Sequence, residues 1–266
     1  MKPQIIFTSL VLALGLSSLA VAQDKQPFVP AEPEKVGQQP HVFEGKLPNG
    51  RVAKLNYLLY LPSSYGKDAN QKWPLLVFLH GTREVGRDVN KLKKAIVPHL
   101  VEDNPDFPFI VVSPQSPSQV GGWYPNLKAI EAILDEVQHD FAIDADRVYL
   151  TGLSMGGYGV WALAMDDADR FAAIAPVVGG YFYSAKQLCK LKDKPTWVFG
   201  AKRDRNVPIK ESERVVKALK DCGGEPKFTV FENAGHDEGW ELAYTTTDIF
   251  EWLLQQKRTA ALASTN

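Results

Sequence analysis

A chain of 266 residues, 45% hydrophobic and 23% charged with a formal net charge of −1, has the composition of globular protein and is long enough for one sizeable core. Its near-neutral balance argues against nucleic acid or an anionic membrane surface as a partner, and it has no block of lysine and arginine. Neither an H-E-x-x-H run nor paired C-x-x-C runs occur, so no metal or cofactor is implied.

In chain order, Met1 and Lys2 precede an apolar stretch over 5–19, and Ala20-Val21-Ala22 before Gln23 forms an A-x-A cleavage pattern. The apolar run is short and ends at small residues, so residues 1–22 read as an export signal rather than an anchor. The expected destination is secreted or periplasmic, with no membrane attachment after cleavage. Pro27, Pro30, Pro33 and Pro40 among polar residues make 23–40 an extended linker. A single domain is expected over 41–257 and a frayed tail over 258–266. The runs 42–46 and 51–61 flank Asn49-Gly50, a hairpin signal. Thereafter strands near 75–80, 109–112, 147–151, 172–175, 196–200 and 227–231 alternate with helices near 88–101, 126–140, 154–166, 209–221 and 240–257. This alternation predicts an α/β fold: a mostly parallel central sheet with an N-terminal antiparallel hairpin and helices on both faces.

The stretch 147–157 carries the most chemistry. Val148-Tyr149-Leu150-Thr151 reads as a strand and Val160-Trp161-Ala162-Leu163-Ala164-Met165 as a buried helix. Between them Gly152-Leu153-Ser154-Met155-Gly156 is a G-x-S-x-G in the strand–turn–helix setting of a nucleophile elbow. An ordinary glycine-rich turn would not require that setting. A nucleophilic serine needs a base, and the base needs an orienting acid. His236, in the loop after the strand near 227–231, is the one histidine beyond Ser154. Asp204 is the one carboxylate in the loop that follows Thr196-Trp197-Val198-Phe199, whereas Asp221, Glu225 and Glu232 flank other elements. A surface pairing of Asp204 with Arg203 or Arg205 is the plainer alternative. The backbone N–H groups of Thr82 and Met155 are the expected oxyanion donors, because Thr82 follows the apolar strand Leu75-Leu76-Val77-Phe78-Leu79 and Met155 follows the serine. His80 reads as a structural residue holding that loop rather than a second base. His41, His99 and His139 have no motif around them.

With these residues the chain resembles the α/β-hydrolases, in the secreted esterase and peptidase group bordering the dienelactone hydrolases, feruloyl esterases and polyhydroxybutyrate depolymerases. The resemblance is carried by Leu79 through Gly86, Ser113-Pro114-Gln115, Arg147 through Tyr158, Phe171 through Pro176, Gly200 through Pro208, and Gly235-His236-Asp237. The acid loop Gly200-Ala201-Lys202-Arg203-Asp204 is about one residue longer than the group's usual form, while the ending Asp-x-x-Val-Pro at 204–208 fits it.

The resulting expectation is a secreted serine hydrolase that cleaves carboxylic esters through Ser154, Asp204 and His236 and an acyl-enzyme. Its substrate would be a small-molecule or carbohydrate-linked ester. A peptidase with the same three residues is the alternative, and a non-catalytic binding protein of the same fold is a remote third. About twenty residues separate the sixth strand from the seventh, too few for a helical lid. That connection supplies Tyr181, Phe182 and Tyr183, while Trp123 and Tyr124 follow the fourth strand and Trp240 follows His236. Part of this set belongs to the core and part to an aromatic wall suited to a sugar face or aryl acyl group, with Trp123, Tyr181 and Trp240 as the substrate-binding candidates. Cys189 precedes the seventh strand and Cys222 ends the helix returning to the eighth, so both lie at the end of the sheet opposite the catalytic loops. Export and that placement favour a disulfide between them.

Overall fold

The computed structural model describes residues 35–182 and 184–258. The expected export signal over 1–22, most of the linker, the tail from 259 and Tyr183 lie outside the described residues. Eight strands form one sheet: β1 (Gly37–Lys46), β2 (Val52–Leu61), β3 (Trp73–Leu79), β4 (Ile110–Pro114), β5 (Ile143–Leu153), β6 (Ala173–Val177), β7 (Trp197–Ala201) and β8 (Lys227–Phe231). Their spatial order is β1-β2-β4-β3-β5-β6-β7-β8. The β1–β2 hairpin and the β2–β4 pair are antiparallel, and the remaining pairs are parallel.

The period of two along β3 divides the core. Leu75, Val77 and Leu79 face one layer, which holds α2 (Leu127–Asp140), α3 (Met155–Asp166) and α5 (Ile209–Asp221). Leu76 and Phe78 face the other, which holds α1 (Ile96–Asp103), α6 (His236–Thr245) and α7 (Ile249–Leu254). Both faces of β3 are covered, so it reads as an unbroken apolar run. Helix α3 buries residues all round its circumference, as a helix central to its layer must.

Several boundaries differ from the sequence reading, each for a local reason. β1 begins at Gly37, inside the stretch expected to be linker, and Pro40 pairs with Leu58. As β1 is an edge strand, Pro40 sits where a missing N–H is tolerated. The helix expected over 240–257 starts earlier, at His236, and is split into α6 and α7. Thr245, Thr246 and Thr247 each turn a hydroxyl back onto the carbonyl four residues earlier, competing with the helical ladder where it stops. The segment 88–101 is a 3₁₀ turn over Val89–Lys94 and then α1, separated by Ala95 in an extended conformation. Among the described residues, the helical elements between β6 and β7 are the short α4 (Ala185–Leu188) and a 3₁₀ turn over Cys189–Leu191, neither long enough for a helical cap. Cys189 and Cys222 are joined by a disulfide, with their Cα atoms 5.4 Å apart.

Candidate functional site

Ser154 occupies the turn between β5 and α3 with φ 54° and ψ −117°, in the positive-φ region that side chains rarely adopt. Its N–H donates to Val177 O at 3.0 Å, which ties the turn to the end of β6. The glycines beside it are obligatory. A Cβ on Gly156 would lie 1.8 Å from Leu79 O, and one on Gly152 would lie 2.7 Å from the same oxygen. Only with hydrogen at both positions can β3, β5 and α3 close around the serine. The hydroxyl is thereby presented at the N-terminal end of a twelve-residue helix, where unsatisfied N–H groups favour negative charge.

Asp204 follows β7, and its side chain is fully buried. Its Oδ1 accepts the N–H groups of Asn206 and Val207, both at 2.8 Å. Its Oδ2 accepts from His236 Nδ1 at 2.6 Å. Because a carboxylate only accepts, Nδ1 carries the imidazole proton and Nε2 is left as an acceptor. The Ser154 hydroxyl donates to that Nε2 at 2.9 Å. Three residues from three separate strand ends, the turn after β5, the loop after β7 and the start of α6 beyond β8, thus form one hydrogen-bonded chain. Asp237, next to His236 in sequence, faces away from this chain, and its carboxylate accepts from Arg83 at 2.6 Å. That guanidinium holds the Asp237 carboxyl below the usual carboxylate range.

Gly81 lies directly against the elbow, since a Cβ there would sit 2.9 Å from Leu153 Cδ1. Thr82 follows it and lines the space above Ser154 together with Met155. As the first residue of α3, Met155 has no intrahelical acceptor for its N–H. His80 is buried. Its Nε2 accepts the Ser116 N–H at 2.9 Å, so Nδ1 carries the proton and donates to Gly81 O at 2.5 Å. Desolvation lowers its pKa to about 4, and the ring stays neutral in ordinary buffers. Its carbonyl accepts Trp123 Nε1–H at 3.2 Å. His80 therefore links β3, the Ser116 loop and Trp123 behind the Gly81–Thr82 turn.

Two cavities open on Ser154 and share Thr82 and Val207. The first, about 660 Å³, is apolar and is walled by Met155, Tyr158 and Phe182 over Trp123. Tyr158 and Phe182 stack with ring centroids 4.6 Å apart. The second, about 790 Å³, contains His236 and Trp240 and is rich in charge. The substrate-binding candidates divide between these cavities and the core. Trp123 reaches the first cavity but is 1% exposed and serves as its floor. Trp240 lines the second, with Nε1 donating to Asp237 Oδ1 at 3.4 Å. Tyr181 is a correction: it is fully buried, packs edge-on to Trp161 and touches neither cavity. Its neighbour Phe182 takes that place, 73% exposed. Tyr158 was missed by sequence reasoning, although its spacing of four residues from Ser154 on α3 puts both on one side of the helix. Among the described residues no cluster of three or more His, Cys, Asp or Glu could hold a metal ion, and no helix is long and apolar enough to cross a membrane.

Residues 121–237 match the profile of the dienelactone hydrolase family. Among curated proteins, a bifunctional acetylxylan esterase/xylanase of Neocallimastix patriciarum is 28% identical over 133 residues, covering 48% of this chain and 18% of that protein. A probable feruloyl esterase C of Aspergillus clavatus is 25% identical over 185 residues, covering 68% of this chain and 62% of that protein. The chain thus spans less than two thirds of the length of these relatives. Among solved structures, a thermostable esterase superposes with a TM-score of 0.70 at 30% identity, covering 82% of this chain and 63% of that one. A ferulic acid esterase superposes at 0.62 with 17% identity, covering 83% of this chain and 99% of that one.

Proposed function

The chain has the fold of the α/β-hydrolases, and on that premise we propose that it is an exported serine esterase acting on small, soluble carboxylic esters. The observation that carries this reading is the continuous chain Asp204–His236–Ser154, at 2.6 and 2.9 Å, ending at a half-buried serine that lines two cavities. Ser154 Oγ attacks the ester carbon as its proton passes to His236 Nε2. The N–H groups of Thr82 and Met155 receive the oxyanion. His236 then returns the proton to the leaving alcohol, and water repeats the sequence on the acyl-enzyme. Asp204, fixed by the Asn206 and Val207 amides, orients the imidazole and stabilises its cationic form. The names of the esterase relatives support an ester rather than an amide as substrate. The apolar 660 Å³ cavity suits an aryl or short alkyl acyl group, and the lidless β6–β7 connection leaves it open to water. Export is supported by the A-x-A pattern at 20–22 and by the disulfide.

The test compares a p-nitrophenyl ester with a peptide p-nitroanilide, using the wild type and Ser154→Ala. Ester turnover should exceed peptide turnover and fall by on the order of 10³-fold or more in the variant. Faster cleavage of the anilide would establish a peptidase instead.

A further inference from the structure

The two cavities that meet at Ser154 differ in charge, and that difference specifies the substrate further. We infer that the cavity beside His236 is a subsite for an anionic alcohol, so that the preferred substrate joins an apolar acyl group to an alcohol bearing a carboxylate. This rests on the serine esterase reading above.

Direction comes from the proton. The leaving oxygen must receive it from His236 Nε2, so the alcohol half departs on the His236 side. His236 lines the 790 Å³ cavity and not the 660 Å³ one. The acyl group then occupies the space formed by Met155, Tyr158 and Phe182, and the alcohol occupies the other.

Charge comes from the lining of that second cavity. Arg83, Lys91 and Lys94 line the second cavity with two carboxylates, Glu84 and Asp237. Asp237 is committed to Arg83 at 2.6 Å. Glu84 lies 3.8 Å from His80 Nδ1, and its carboxylate is not within ion-pair distance of Lys91 or Lys94. Lys91 and Lys94 have no carboxylate within ion-pair distance among the described residues. They stand three residues apart on the 3₁₀ turn Val89–Lys94, a spacing at which side chains eclipse and share a face. Lys93 projects elsewhere, onto Glu102 at 2.6 Å. A chain with a net charge of −1 thus turns two uncommitted ammonium groups onto the leaving-group side of its candidate nucleophile. A hydroxycarboxylate meets both the size of the space and its charge.

The probes are two benzoate esters of equal size, benzoyloxyacetate and its neutral amide, benzoyloxyacetamide. The readout is the ratio of their kcat/KM values in the wild type, Lys91→Met/Lys94→Met, Lys94→Gln and Lys93→Met. The anion-to-amide ratio should fall about five- to tenfold in the double variant, less in Lys94→Gln, and stay at the wild-type value in Lys93→Met. It should also fall as ionic strength rises. A ratio equal in the wild type and double variant, or lost as fully in Lys93→Met, would overturn the subsite while amide-ester turnover upheld the esterase reading. A wild type that turns over neither ester and resists fluorophosphonate labelling at Ser154 would remove both.

Discussion

Lowering the pH asks the imidazole of His80, fully buried, to take a proton on Nε2, where the Ser116 N–H already points as a donor. Desolvation holds its pKa at about 4 in the folded protein against about 6.5 in an unfolded chain. Above about pH 6.5 the ring is neutral in both states and contributes no pH dependence. Between about 6.5 and 4 the unfolded chain binds a proton that the folded chain refuses, so stability falls as the pH is lowered through that window. At about 1.4 kcal/mol per pH unit, the loss attributable to His80 is about 2 kcal/mol by pH 5 and about 3 kcal/mol by pH 4. Urea denaturation across this range, on the wild type and His80→Asn, isolates the effect, because contributions common to both proteins cancel in the difference. The wild-type curve should slope more steeply below pH 6.5 by those amounts. Parallel stability curves for the two proteins would refute the buried, neutral assignment.

Asp204→Asn removes the charge that holds the imidazole tautomer and should cut kcat by about 10³- to 10⁴-fold with KM little changed. Asp237→Asn, which loses an exposed charge pairing with Arg83 but keeps an oxygen that can accept from Trp240, should stay close to wild type in the same steady-state assay. The opposite pattern would reassign the acid. The disulfide closes a separation of 33 residues, so Cys189→Ser/Cys222→Ser should lose about 3–4 kcal/mol by urea titration while retaining kcat. An unchanged midpoint would contradict this. Trp123→Ala, at a buried floor position, should cost about 3–5 kcal/mol of stability, whereas Phe182→Ala should fold normally and raise KM for aryl esters. Paired thermal melts and Michaelis curves that reversed these roles would show the cavity wall to be misread.

The parts of the site legible from sequence were those with a local cause. The elbow announces itself because Gly152 and Gly156 must be glycine where three elements converge, and because a β-branched strand and an apolar helix flank them. Asp204 could be singled out because an α/β sheet places such residues on loops after its strands. What local pattern does not encode is which neighbouring side chain points inward. Tyr181 and Phe182 are adjacent aromatics, yet one is core and the other is cavity wall, a choice set by Trp161 on one side and Tyr158 on the other. The start of α6 at His236 escaped because Glu238 reaches back to the Gly235 N–H at 2.6 Å, and the preceding sequence reads as loop. Lys91 and Lys94, three residues apart, share a face in an α-helix and in a 3₁₀ turn alike, but no local pattern says that this face lines the cavity beside His236.

The most direct test of the central claim is intact-protein and peptide mass spectrometry after brief exposure to a p-nitrophenyl ester and, separately, to a fluorophosphonate. If Ser154 is the nucleophile oriented by His236, a single acyl or phosphonyl group should appear on the peptide containing Ser154, with one equivalent of nitrophenolate released in the burst. The adduct should vanish in Ser154→Ala. Undiminished ester turnover in Ser154→Ala, or an adduct on any residue other than Ser154, would contradict the account.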